Sequence, residues 1–186
     1  HPRVLDHLLT GQDAVHQGLV LETKPLTQPR LDQIERNGLV VMLDQVTDPH
    51  NVGAILRSCA AFAVRAVVTT HRNAPHETGV FFKAASGATE HVPLVRVTNL
   101  ASAMEEMRGY GFHLIGLDSE SETPLEQARV SGPMVLVLGA EGKGLREKTR
   151  ATCNVMARLA MPGEIKSLNV SIAAAISLYV LAQPGA

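Results

Sequence analysis

Tryptophan is absent from this sequence, and only two tyrosines and four phenylalanines occur among its 186 residues. So small an aromatic supply argues against a stacking platform of the kind that holds single-stranded RNA. Cysteine is as scarce. Cys59 and Cys153 lie far apart in apolar or helical surroundings, which suits reduced thiols filling a core better than a secreted disulfide framework. Neither sign of charge is in excess: 17 Lys and Arg face 18 Asp and Glu, so the balance advertises neither a polyanionic partner nor an acidic membrane. No apolar run approaches the roughly 20 residues that span a bilayer, and His1-Pro2-Arg3 does not open a signal peptide. The expected location is cytoplasmic. A start at histidine is expected of a fragment or processed chain from which an N-terminal domain is missing.

Several catalytic signatures are lacking too. The eight histidines form no H-E-x-x-H and no Cys-His cluster, so no metal site is expected. There is no G-x-S-x-G elbow, no G-x-G-x-x-G fingerprint and no glycine loop ending in G-K-[ST]. These absences weigh against serine hydrolase, dinucleotide oxidoreductase and nucleoside triphosphatase chemistry.

What is present is a hydrophobic share of 45%, enough for one α/β domain with a buried core. Residues 1–37 are polar and broken by Pro25 and Pro29, and read as an arm with one short strand at Leu19-Val20-Leu21. From Leu39 on, β-branched runs alternate with helical patterns. Strands are expected near 39–43, 66–69, 92–97, 112–117, 134–138 and 155–159, and helices over 49–62, 77–85, 99–109, 145–151 and 167–182. This alternation predicts an α/β fold, a mostly parallel sheet with helices on both faces.

In such a sheet ligands gather beyond the carboxyl ends of the strands, and three segments there carry the chemistry. In the first, residues 44–57, Asp48 caps a helix with Pro49 in its first turn, and Gly53 leaves room for a substrate or for backbone beside Arg57. Asp48 and Pro49 read as ordinary capping, whereas Asn51 and Arg57 stand among alanines and leucines. In the second, the buried run Met134–Leu138 enters a loop with Gly139, Gly142 and Gly144 around Glu141. Glycines there let backbone amides approach a ligand, and an acid in so tight a loop suggests a ligand hydroxyl or an arginine partner. In the third, a Pro162-Gly163 turn leads to Ser167 as the expected cap of an amphipathic, alanine-rich helix that presents Asn169 and Ser171 in its first turn. The amide of Asn169 needs partners if it is buried. Lys143, Arg146, Lys148 and Arg150 alternate with Glu141 and Glu147 and read as a solvated surface, with phosphate contact as the alternative.

Together the three segments resemble the SpoU (TrmH-like) branch of the SPOUT methyltransferases. The signature motifs occur in order as D-P-x-N-x-G-x-x-x-R at 48–57, L-G-x-E-G-x-G at 138–144 and S-L-N-V-S-x-A at 167–173. His16-Gln17-Gly18-Leu19-Val20 and Arg96-Val97-Thr98-Asn99-Leu100-Ala101 further resemble the subgroup that methylates a guanosine of 23S ribosomal RNA. The resemblance implies a C-terminal trefoil knot, an obligate homodimer and S-adenosylmethionine as methyl donor, with RNA as substrate. It places the donor against Gly139, Leu159 and Leu168, with Glu141 and Asn169 nearby, and sets Asn51 and Arg57 on the ribose hydroxyl. Ser167 is expected to help order the site. Residues 38–186 would be the catalytic domain, without the small N-terminal RNA-binding domain of full-length relatives.

Arg57 matches the residue to which the family assigns the role of base, yet guanidinium groups stay protonated in proteins. Two roles therefore remain open: a base in an unusual setting, or a cation stabilising a developing alkoxide. A transfer RNA substrate and a non-catalytic RNA-binding or ribosome-assembly module are the alternative readings.

Overall fold

The structure, a computed structural model, describes residues 18–20, 26–165 and 167–183. Six strands, β1 (Leu39–Asp44), β2 (Val67–Thr70), β3 (Leu94–Val97), β4 (His113–Leu117), β5 (Met134–Gly139) and β6 (Val155–Ala157), form one sheet in the order β3-β2-β1-β5-β4-β6. Every neighbouring pair runs parallel. A sheet of this kind must be covered on both sides. The central strand β1 shows why: its six residues are all buried and sort by parity. Leu39, Val41 and Leu43 enter one core, while Val40 and Met42 enter the other.

The first core is closed by α1 (Pro49–Ala61), α2 (Gly79–Ala85), the single turn α4 (Leu125–Ala128) and α6 (Val170–Ala182). The second is closed by α3 (Leu100–Gly109) and by Leu145 and Cys153 on either side of α5 (Glu147–Thr152). The expected α/β class with helices on both faces is therefore what the chain forms. The chain runs from β1 out to β3 on one side and fills the other side with β5, β4 and β6, so the strand order reverses between β1 and β5. Their register pairs Asp44 with Gly139. Both strands end level, and the loops that follow them meet at the crevice where parallel sheets bind ligands.

The six expected strands and five expected helices all form, with no end moved by more than three residues; α4 is an addition, too short to show a period. Leu19 and Val20 are exposed and lie in no strand, and Leu21, like His16 and Gln17, lies outside the described residues. Farther along the arm, Leu31 and Ile34 are buried in the second core, and the Leu94 N–H donates to Gln28 Oε1 at 2.9 Å. The arm is docked from there on. Both cysteines pack as expected. Burial pushes the Cys59 thiol up, and that of Cys153 up to about 11 against the opposing pull of Arg108 and Arg150.

Asp48 caps α1, accepting from the His50 N–H at 3.0 Å, with Pro49 at the first position. The start of α6 departs from expectation. Ser167 is not its cap; Asn169 is, because its Oδ1 takes the Ser171 and Ile172 N–H groups at 2.9 and 3.4 Å. Nor is α6 amphipathic. Val170, Ala174, Leu178 and Leu181 are buried, but Ile172, Ile176 and Tyr179 make an exposed apolar stripe at i, i+4 and i+7.

Gly53 serves packing, the second of its two expected uses. A β-carbon there would lie 2.7 Å from Ala84 Cβ, 2.7 Å from the Phe81 carbonyl oxygen and 3.0 Å from the Ala85 nitrogen, so α1 and α2 touch through backbone. Gly53→Ala is expected to force these helices apart at a cost of about 1–3 kcal/mol. Urea unfolding with an unchanged midpoint would refute this close approach.

Candidate active site at the carboxyl ends of the strands

Three of the expected site residues meet at one oxygen atom. Glu141 Oε1 accepts from Asn169 Nδ2 at 2.7 Å, from Asn51 Nδ2 at 3.4 Å and from the Val170 backbone N–H at 3.2 Å. Asn169 Nδ2 also donates to Asn51 Oδ1 at 2.9 Å, and Asn51 Nδ2 to Asp48 Oδ2 at 3.2 Å. The first turns of α1 and α6 are thereby joined through the loop after β5. Each helix begins with unpaired N–H groups and a positive dipole end, so a carboxylate is favoured where α6 starts. Asn169 is exposed rather than buried, and its amide still finds partners on both atoms.

Beside this network lies a cleft of about 460 Å³ at the ends of β4, β5 and β6. Gly139, Glu141, Leu159, Ser167 and Leu168, all expected at the site, line it. Leu117, Leu138 and Met161 add apolar wall, and Asp118 and Glu120 add carboxylates. An apolar slot with a few polar groups at its rim suits a small organic ligand.

The glycines of the loop do something other than expected. A β-carbon on Gly139 would lie 2.2–2.5 Å from backbone atoms of Gly144 and Leu145, so the space it leaves is taken by the loop itself and not by a ligand. Gly142 and Gly144 take φ of +75° and +63°, a left-handed geometry that only glycine adopts freely, and the Gly144 N–H donates to the Ala140 carbonyl at 2.9 Å. The loop is folded back tightly, which is what carries Glu141 out to the two helices.

Sequence reasoning missed the residue that pins the far end of this loop. Asp44, fully buried at the end of β1, accepts from the Arg146 backbone N–H at 2.9 Å and from Arg146 Nε at 2.7 Å. As the last residue of an apolar run it resembled a turn acid; only the parallel register with Gly139 could have marked it. Arg146 is therefore not the freely solvated cation expected, nor is Arg150, which pairs with Asp118.

Arg57 joins neither the network nor the cleft. It lies six residues beyond Asn51 on α1, roughly 9 Å along the axis, exposed and with no ion pair or hydrogen bond to its side chain among the described residues. Among those residues no group of three or more His, Cys, Asp or Glu could hold a metal, and no helix is long and apolar enough to cross a membrane.

Arg146→Ala would leave the buried Asp44 carboxylate facing only one backbone donor. A loss of about 3 kcal/mol is expected, the low end for an orphaned buried partner because that backbone bond stays. Asp44→Ala, which removes the buried charge itself, should cost less in the same denaturation experiment. Wild-type stability in both variants would show that the Asp44–Arg146 pair does not hold the loop.

Residues 38–179 match the SpoU rRNA Methylase family. The 23S rRNA (guanosine-2'-O-)-methyltransferase RlmB of Pseudomonas putida is 40% identical over 90% of this chain and 70% of its own length; that of Pseudomonas aeruginosa is 41% identical over 95% and 73%. Among solved structures, the SpoU methyltransferase AviRb of Streptomyces viridochromogenes in complex with the cofactor AdoMet superposes with a TM-score of 0.73, at 26% identity over 81% of this chain and 61% of that one. The matched region spans all six strands and the whole of the Asn51–Glu141–Asn169 network, and on that ground the chain belongs to the SpoU rRNA methylase family.

Proposed function

We propose that this chain transfers a methyl group from S-adenosylmethionine to the ribose 2'-hydroxyl of a guanosine in 23S ribosomal RNA. The observation that carries this reading is the meeting of Asn51, Glu141 and Asn169 beside the cleft of Gly139, Leu159 and Leu168, in a chain about 40% identical to named guanosine 2'-O-methyltransferases. The cleft suits the donor. Leu117, Leu138, Leu159 and Leu168 offer apolar wall to a base, and Glu141, Asp118 and Glu120 offer acceptors to ribose hydroxyls and to cationic groups. When bound there, the donor supplies a methyl group activated by its sulfonium.

The protein's own part is to position and to balance charge. Glu141, Asn51 and Asn169 hold the first turns of α1 and α6 together so that Ser167 and Leu168 stay in the wall. Of the two roles open to Arg57 we assign that of a cation: exposed and without a carboxylate partner among the described residues, it is free to stabilise the negative charge that grows on the ribose oxygen as its proton passes to solvent water. Arg57→Ala is expected to bind the donor normally in calorimetry and to lose more than 100-fold in transfer. Leu168→Trp, which fills the cleft, should weaken donor binding at least 10-fold. Wild-type turnover in the first variant, or wild-type affinity in the second, would overturn the assigned roles.

In the same reading residues 38–186 are the catalytic domain and residues 1–37 an arm, the segment from β6 to α6 forms the trefoil knot, and the protein works in the cytoplasm. It works as a homodimer. The exposed stripe of Ile172, Ile176 and Tyr179 supports this, since a helix apolar all round is ordinarily covered. Ile176→Glu is expected to give a folded monomer in sedimentation, and an unaltered mass would remove α6 from the interface.

A further inference from the structure

A second cleft, also of about 460 Å³, opens at the ends of β1, β2 and β3, on the other side of the 140–145 loop. Arg72, Arg146 and Lys148 line it, and among the described residues no carboxylate does. Arg72 and Lys148 have no ion pair among the described residues. Arg146 meets Asp44 through Nε and its backbone N–H, leaving both terminal guanidinium nitrogens without a hydrogen bond there. Cations gathered in a concavity repel one another and raise the local potential until an anion enters. One further feature of the same cleft points to a ligand. Thr70 is only 7% exposed, yet its hydroxyl, like those of Thr69 and Ser177, has no hydrogen-bond partner among the described residues, and of the three residues only Thr70 lines this cleft.

We propose that this cleft binds a phosphodiester of the RNA strand whose ribose is methylated in the neighbouring cleft. The inference rests on the functional reading above and deepens it. The two clefts share one sheet edge and the loop between them: its first residues, Gly139 to Gly144, line the donor side, and Arg146 and Lys148, just past its end, line the other. A strand lying across the loop would set one nucleotide at the donor cleft and a phosphate of a neighbour among the three cations. The nearly neutral net charge is no objection, because a local basic concavity suffices for a phosphate contact.

The test compares the wild-type chain with the double variant Arg72→Ala, Lys148→Ala and with Thr70→Val. Arg146 is left in place, because its loss would orphan Asp44. Binding of a ribosomal RNA fragment is followed by fluorescence anisotropy from 50 to 300 mM salt, with donor affinity and melting temperature measured in parallel. The double variant is expected to bind RNA at least 10-fold more weakly at low salt. The magnitude of its slope of log affinity against log salt should fall by up to about 1, one phosphate contact being worth roughly 0.7–0.9. Donor affinity and melting temperature should not move. Thr70→Val should lower RNA affinity a few-fold while its melting temperature holds or rises, an effect a merely structural hydroxyl would not produce. An unchanged salt slope in the folded double variant overturns the proposal. So does a cleft that takes inorganic phosphate, seen as a thermal shift lost in the double variant, while RNA affinity stays at the wild-type value. A wild-type chain that binds RNA but methylates none would count against the functional reading and leave the cleft's phosphate role supported by its own slope.

Discussion

One carboxylate oxygen holds this site together. Glu141 Oε1 receives three donors from two helices that are 118 residues apart along the chain, counted from Asn51 to Asn169. Each bond is partly exposed and contributes modestly, since water competes for every partner. Their common acceptor makes them interdependent. A displacement of the loop after β5 releases the first turns of α1 and α6 at once, and with α6 goes the preceding segment, where Ser167 and Leu168 form the cleft wall.

The loop is held at three levels. At its root, Gly139 sits against its own Gly144 and Leu145 backbone; in its body, two left-handed glycines fold it back; at its end, Arg146 is fastened to the buried Asp44. The parallel register that sets Asp44 beside Gly139 lets one strand end anchor the loop leaving the other. Rigidity of this kind is what preorganisation requires, because a catalytic group displaced by about 1 Å can cost two orders of magnitude in rate.

Much of the fold was legible because its signals are repetitive. Five β-branched and apolar residues in a row, as at Leu39–Leu43 and Met134–Leu138, are too short for a helix and suit a strand buried on both faces, and the all-parallel sheet follows from helices between them. The site was legible where a residue type was odd for its place, as with Glu141 in a glycine loop. It was illegible where two residues could do the same work. Ser167 and Asn169 both suit a helix cap, and the choice fell to Asn169 because only it reaches Asn51 and Glu141 as well. Asp44 was illegible because its partner lies 102 residues away. Arg57 shares a motif with Asn51 but not a location, since the spacing that puts Asn51 over the loop carries Arg57 farther down the helix.

Asn169 is read from both ends of its amide, and this narrows what can stand there. Its oxygen serves the helix and its nitrogen serves Asn51 and Glu141. Aspartate would start the helix equally well, but would bring a second negative oxygen to the place where a donor now lies 2.7 Å from a carboxylate. Serine and threonine also begin helices well, but they are one atom shorter and carry a single polar atom for two opposite duties. Of the side chains that open a helix favourably, asparagine alone is a donor and an acceptor at once on separate atoms. The identity of this residue is thus dictated by a division of labour within four atoms, before any substrate has been considered.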